Sequence, residues 1–231
     1  MFSARLVGIG IIALLTFLLG CNRNEELSMQ PTEGYPMLEN QEEIRQLLAD
    51  KCLDTIRFSK GEVVADIGAG NGYLEAMLAM FHDSLTFYIQ DIDNSVCNQA
   101  AINEVVKFYE SVAGRTFNCS FIAINGNDTE TCLPDIGFDR ILMLWTYHYL
   151  KKPAEFITDV RSKLKDKGLL YLINPEQDYE YGLELRDSYG WNGFTIEQQI
   201  DNIIACGFVL IRFTRNYEDN QQPYMMVFQK N

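Results

Sequence analysis

Basic residues are scarce in this chain. Lys and Arg number 19 against 32 Asp and Glu, a net charge of −13 over 231 residues. So acidic a surface repels a phosphate backbone, and no Lys/Arg cluster offsets it, so nucleic-acid partners are not expected. Histidine is rarer still, with only His82 and His148. The six cysteines form no C-x-x-C pair, so no metal is expected either. Internal repeats and low-complexity runs are lacking. So is an uninterrupted apolar run of about 20 residues, the length that crosses a bilayer as a helix. With 47% hydrophobic and 22% charged residues, the composition is globular, and the length suits one domain with a full core.

What is present divides at residue 21. Residues 6–20, LVGIGIIALLTFLLG, are apolar and uncharged, with Arg5 before them and the polar NRNEE after Cys21. Such a run fits the core of a secretory signal, against the alternatives of an uncleaved anchor or a buried helix. LLGC at 18–21 resembles a bacterial lipoprotein signal, with Cys21 as the lipidated residue and Leu19 where Ala or Ser is favoured. The resemblance implies removal of 1–20, contact with the membrane through lipid on Cys21, and a place in the bacterial cell envelope, facing periplasm or cell surface. Residues 22–39 carry two Pro and a Gly and read as a tether, which leaves 40–231 for the folded domain. Cys52, Cys97, Cys119, Cys132 and Cys206 remain after Cys21. An odd set cannot pair completely; most are expected as small buried hydrophobes, with one disulfide left open.

The domain alternates strand and helix signals. Ile44, Leu47, Leu48 and Cys52 follow helical spacing, and strand EVVADI (62–67) precedes helix GYLEAMLAMF (72–81). After strand LTFYIQD (85–91), Asn94 or Ser95 is expected to cap a helix bearing Val96, Ala100, Val106 and Tyr109. Strands FNCSFIAI (117–124) and DRILMLW (139–145) follow, then a helix from Pro153 that Gly168 should end. Strand GLLYLIN (168–174) comes next, then a helix with a Thr195/Gln198 capping box, closed by Gly207. The last strands, FVLIRFT (208–214) and YMMVFQK (224–230), lie too close in sequence for a helical crossover and should pair antiparallel. The order predicts an α/β fold with a mainly parallel sheet covered on both faces.

The first strand runs into DIGAGNG, residues 66–72. Glycines let the backbone turn tightly and approach a ligand, and the crevice of an open α/β sheet lies at the carboxyl ends of its strands. Alone, such a turn is weak evidence and is also found as a plain tight turn. Two acids strengthen it. Asp66 precedes the glycines, and Asp91 ends the next strand, where a carboxylate can accept ribose hydroxyl protons. The spacing G-x-G-x-G differs from the G-x-G-x-x-G of dinucleotide sites, and an upstream acid suits an ammonium better than a pyrophosphate.

VVADIGAGNGYLEAMLA (63–79) resembles the first motif of class I methyltransferases that use S-adenosyl-L-methionine (SAM), and QDID (90–93) resembles the second. INGNDTETCLP (124–134) is similar to the third region, and FDRILMLW through YLIN (138–174) to the fourth and fifth strands with their helix. The resemblance spans about 40–231. It implies a Rossmann-like, doubly wound sheet of seven strands, closing with an antiparallel hairpin, and SAM as cofactor. It places Asp66, Gly68, Ala69, Gly70 and Gly72 at the methionine end, Asp91 and Ile92 at the nucleoside, and Asn127 and Asp128 as candidates for the adenine. The family's Gly-Asp there reads Gly126-Asn127 in this chain.

The methyl acceptor has no signature. The Asn-Pro-Pro-aromatic motif of amino-group methylation is missing after the fourth strand, where Trp145, Thr146, Tyr147, His148 and Tyr149 stand instead. His148 is the candidate general base, since an imidazole near its ordinary pKa of about 6.5 removes protons readily; the plainer alternative is a residue packed beneath the cofactor. The segment 175–193, with Tyr179, Tyr181, Tyr189 and Trp191, is either a substrate lid or a surface loop packed by aromatics. The expectation is a membrane-tethered methyltransferase acting on a small molecule or an envelope component. The alternatives are an envelope lipoprotein that binds SAM or a nucleoside without turnover, or an interaction domain that keeps the fold without a ligand.

Overall fold

The computed structural model describes residues 37–175, 194–215 and 223–231. Its strands are β1 (Val63–Ile67), β2 (Thr86–Asp91), β3 (Ser120–Asn125), β4 (Phe138–Leu144), β5 (Leu164–Pro175), β6 (Phe208–Arg215) and β7 (Pro223–Lys230). Its helices are α1 (Gln41–Asp50), α2 (Tyr73–Ala79), α3 (Gln99–Ala113), α4 (Pro153–Lys163) and α5 (Ile196–Ala205). The strands form one sheet in the order β3-β2-β1-β4-β5-β7-β6. The pairs among β1 to β5 are parallel, and β7 runs antiparallel to both neighbours, as the short link before it requires. The chain moves outward from β1 to β3 and then returns to the other side of β1 as β4. That reversal opens a crevice at the carboxyl ends of β1 and β4.

Side-chain alternation on the strands divides the core. Ala65 and Ile67 share one buried cluster with Met143, Leu172 and Phe228 of the sheet, Phe156 and Val160 of α4, and Ile203 of α5. Each large apolar side chain buried there contributes roughly 1.5–3 kcal/mol. Asp66, on the other face of β1, instead meets Glu75 of α2. The amino-terminal edge of the sheet is tied by Arg140. Its guanidinium donates to both Glu62 oxygens, at 2.6 and 2.9 Å, to Arg57 O at 2.8 Å and to the Tyr171 hydroxyl.

Three local expectations change. Helix α3 begins at Gln99 with Asn98 as its cap, because Asp93 Oδ1 accepts from Ser95 N and Oγ and folds 93–95 into a turn. Its buried face is Ile102, Val105 and Tyr109. Gly168 does not end a helix. The chain enters β5 directly at Leu164, and Gly168 lies in a bulged stretch where a Cβ would stand 3.0 Å from Phe138 O. Residues 147–149 form a short 3-10 turn that the periodicity does not announce. Cys52, Cys97, Cys119, Cys132 and Cys206 are all free thiols, and only Cys52 and Cys97 are buried. No helix among the described residues is long and apolar enough to cross a membrane. The signal segment, Cys21 and the aromatic segment 176–193 lie outside the described residues.

Candidate active site

The glycine-rich turn joins β1 to α2. Gly68, Gly70 and Gly72 all have positive φ, at 77°, 58° and 76°. At Gly68 a Cβ would stand 2.3 Å from Thr146 Oγ1, so glycine is what lets the ends of β1 and β4 close together. Thr146 Oγ1 in turn lies 2.9 Å from Ile67 O. At Gly70 a Cβ would meet only Val96 Cγ1, at 3.9 Å, so this part of the turn has open space beside it.

Asp91 is held from two sides. Gly70 N–H donates to its Oδ2 at 3.0 Å, and Asp93 N–H to its Oδ1 at 2.9 Å. A carboxylate has about four acceptor positions, so two remain for hydroxyl donors. Beside it opens a cavity of about 520 Å³. Its walls are Gly68, Asp91 and Ile92 on one side, Asn127 and Asp128 above, and Trp145, Thr146 and Tyr149 opposite. Ile67, Gln90, Leu150, Lys151 and Phe156 complete the lining. The size suits a ligand of nucleoside dimensions. Ile92, exposed by 63% of its surface, offers an apolar flank for a flat ring.

Asn127 and Asp128 thus reach the cavity, and each side chain already has a partner of its own. Asn127 Oδ1 accepts from Thr129 N, Thr129 Oγ1 and Glu130 N, which folds the loop on itself. Asp128 Oδ2 pairs with Lys151 Nζ at 2.9 Å on an exposed surface, and that ammonium holds its carboxyl below the ordinary range.

Trp145 leaves β4 with φ at 54°, a left-handed conformation costly for a bulky residue. Its N–H donates to Ile173 O at 2.7 Å, and the buried Lys51 sets its ammonium 3.8 Å from the indole centre. His148 is buried in the 3-10 turn, hydrogen-bonded to the Asn174 side chain and 4.2 Å from the Tyr149 ring centre. Asn174 and Tyr224 both donate to Gln199 Oε1, at 2.9 and 2.8 Å, so His148 belongs to a buried polar chain. Burial pulls its pKa down to about 4 although the Asn174 bond opposes this. The imidazole is therefore neutral throughout the physiological range, and its own titration falls below pH 6. Tyr149 and Trp145 stand in the cavity wall; His148 is not among the residues lining it. His82, read as a surface residue, is half-buried with its ring edge-on to Phe58.

Asp66 and Glu75 lie beneath the turn, and both are buried. Burial raises both carboxyls, Asp66 well above the usual range, and the two share a hydrogen bond. Sequence reasoning took Asp66 and missed Glu75. The available signal was a single acid within LEAMLA, whose other side chains in α2 are buried and apolar. Gln90, which opens the QDID motif without having been singled out, and Leu150, Lys151 and Phe156 also line the cavity. Among the described residues no group of His, Cys, Asp or Glu is placed to hold a metal.

A nucleoside with a cationic tail fits this chemistry. The open flank at Gly70, the two spare acceptor positions of Asp91 and the acidic pair below the turn are complementary to hydroxyls and positive charge. Residues 65–172 match the model of a family described as a methyltransferase domain. A search of curated proteins gave no match. Among solved structures, a SAM-dependent methyltransferase from Methanosarcina mazei is 17% identical, with TM-score 0.55 over 75% of this chain and 94% of its own. Magnesium protoporphyrin IX methyltransferase from Synechocystis PCC 6803, solved with bound SAH, is 16% identical, with TM-score 0.56 over 84% of each chain. A SAM-dependent methyltransferase from Aquifex aeolicus is 17% identical, with TM-score 0.55 over 83% of this chain and 99% of its own. At such identities the likeness establishes the fold.

Proposed function

We propose that the chain is a class I, SAM-dependent methyltransferase working from a membrane surface, methylating a small molecule or a component of the cell envelope; the match of residues 65–172 to a methyltransferase-domain family supports this. SAM, when bound, supplies an electrophilic methyl on a sulfonium centre. The chain's contribution is placement. Asp91 accepts ribose hydroxyls, Gly68, Ala69, Gly70 and Gly72 admit the methionine end, and Ile92 covers one side of the base. The acceptor enters from the side of Trp145 and Tyr149, and holding it in line with the methyl supplies most of the rate. His148 acts from behind this wall by fixing the 3-10 turn, since it is neutral, buried and bonded to Asn174.

The observation that carries the reading is Asp91, held by the Gly70 N–H and lining a cavity sized for a nucleoside. Calorimetric titration of SAM into the purified chain tests it, with methyl transfer to envelope extracts as the second readout. Asp91→Ala removes charge-assisted bonds to hydroxyls and should weaken SAM at least about tenfold with the fold intact. Unchanged affinity would put the cofactor elsewhere, and binding without transfer to any extract would favour a sensor.

The membrane surface enters through Cys21. Lipidation there anchors a mature chain that begins at Cys21, and a single acyl chain holds only marginally, so firm anchoring takes more than one. Cys21→Ser should move the protein from the membrane to the soluble fraction. Retention in the membrane would make 6–20 a spanning anchor instead.

A further inference from the structure

Asp66 and Glu75 are the most deeply buried acids among the described residues, 1% and 0% exposed. One ends in β1, two residues before Gly68. The other is in the first turn of α2, after Gly72. No neighbouring donor meets Asp66 Oδ1 or either Glu75 oxygen in hydrogen-bond geometry, and the Asn71 Oδ1 of the turn between them is likewise buried and unmet. The site is therefore rich in acceptors and poor in donors. Two carboxyls can hydrogen-bond each other only if a proton lies between them. Two buried carboxylates facing each other without one would repel strongly. The nearby backbone N–H groups of Ile67 and Glu75 pull the two carboxyls down but leave both raised, and the titratable neighbours do not relieve the repulsion. Asp91 of β2 adds negative charge, and the Cys97 thiol ahead of α3, pushed up to about 11 by burial and by Asp91, stays neutral.

SAM carries a fixed positive charge on sulfur, and its demethylated product, S-adenosyl-L-homocysteine (SAH), does not. We propose that Glu75, through its shared proton with Asp66, is a charge-discriminating residue of the cofactor site: the pair holds one proton in the free protein, releases it to solvent when the sulfonium binds, and takes one back when the neutral product forms. This rests on the cofactor reading above. The balance closes over a cycle, with one proton released on SAM binding and one regained from solvent before or with SAH departure. Ionising the pair favours the cation, and reprotonation removes that preference, so the product is held less tightly than the substrate. The effect acts through space and needs no direct contact between Glu75 and the ligand. Buried charge is screened weakly, which lets a residue in this position matter.

The experiment is calorimetry of the full chain with SAM and with SAH, each in two buffers of different ionisation enthalpy, between pH 6 and 8. The proposal expects net release approaching one proton per SAM, and markedly less per SAH. Glu75→Gln keeps the size and can donate its amide N–H to an ionised Asp66, so the pair no longer needs a shared proton. It should abolish the excess release and reduce the SAM-to-SAH affinity ratio by about tenfold. Infrared difference spectra of the unmodified chain give a readout without any variant: the protonated-carboxyl band should disappear on adding SAM and persist with SAH. If SAM binds with buffer-independent enthalpy and no loss of that band, the pair is a structural element and the proposal is wrong. If neither SAM nor SAH binds, it is the cofactor reading that fails.

Discussion

The two edges of the sheet are built on opposite terms. At the amino edge the two charged side chains of β4, Asp139 and Arg140, have their counterparts. Arg140 satisfies Glu62, Arg57 O and Tyr171, and Asp139 accepts from Val63 N at 2.8 Å and from Lys165 Nζ at 2.8 Å. Burial pushes the Asp139 carboxyl up, but Lys165 and the Val63 N–H bring it below the ordinary range. At the carboxyl edge the same strands end in the positive φ of Trp145, in three left-handed glycines, and in carboxyls with oxygens that receive no donor from the described residues. One edge spends its polar groups on the fold; the other leaves them for a ligand. Strain and unmet acceptors persist only where the surrounding packing over-determines them, here the buried strands β1, β4 and β5.

The contrast breaks first at Arg140. Arg140→Ala leaves Glu62 partly buried without its bidentate partner and frees Arg57 O and Tyr171. Removing one partner of such a pair costs about 3 kcal/mol, the low end for buried pairs because some solvent reaches this one. For a chain of this size that lowers the melting temperature by roughly 10 °C. Calorimetric melting should show it, with SAM affinity unaltered below the transition. Arg140→Lys should recover only part, since an ammonium cannot fork. Gly70→Val is the mirror experiment. It fills the open flank and strains a left-handed position, so SAM affinity should drop at least about a hundredfold while melting shifts far less. A variant that lost stability and kept affinity would reverse the assignment of the two edges.

Much of this division is written in the chain. Strand and helix order, the parallel sheet and the closing hairpin follow from hydrophobic period and loop length. The glycine turn and Asp91 stand out because their chemistry is local in sequence. The remainder is not local. Glu75 is an ordinary helix-start acid until the fold lays it against Asp66. Phe156 and Leu150 look like core residues, and they become cavity wall because α4 and the 3-10 turn meet there. The start of α3 slipped because Asp93 to Ser95 offered a side-chain turn that competes with the helix. His148 looked like a base because histidines are few; its burial depends on Asn174, Gln199 and Tyr224, which come from three distant segments.

His148 gives the next effect in size, read as a pH dependence. Its folded pKa of about 4 lies below the unfolded value of about 6.5, so the unfolded chain binds the extra proton. Its contribution to stability is therefore complete above pH 6.5 and is lost as pH falls from 6.5 toward 4. Linkage gives about 2 kcal/mol lost by pH 5. Asp66, raised by burial, works in the opposite sense, so the difference between wild type and His148→Gln isolates the histidine. Urea unfolding at pH 8 and pH 5 should show the smaller loss in the variant. A wild-type difference equal to the variant's would mean that His148 protonates freely in the folded protein.

The smallest expected effect falls on Asp128 and tests how far the open edge extends. Asp128 and Lys151 face each other across the cavity rim, both largely exposed. An exposed pair contributes little, and water replaces either partner readily. If Asp128 only closes the rim against Lys151, Asp128→Asn should change SAM affinity by less than about fivefold, and added salt should erase the difference. If its free Oδ1 accepts from the adenine amino group, the loss should exceed that and survive salt. It should also vanish with an inosine analogue, which has no amino group to offer. Asn127→Ala sharpens the answer, because its amide is committed to Thr129 and Glu130 and its removal acts by loosening the loop. Equal losses for both variants with both nucleosides would mean that the loop's shape, and not a contact from Asp128, sets the affinity at this end of the cavity.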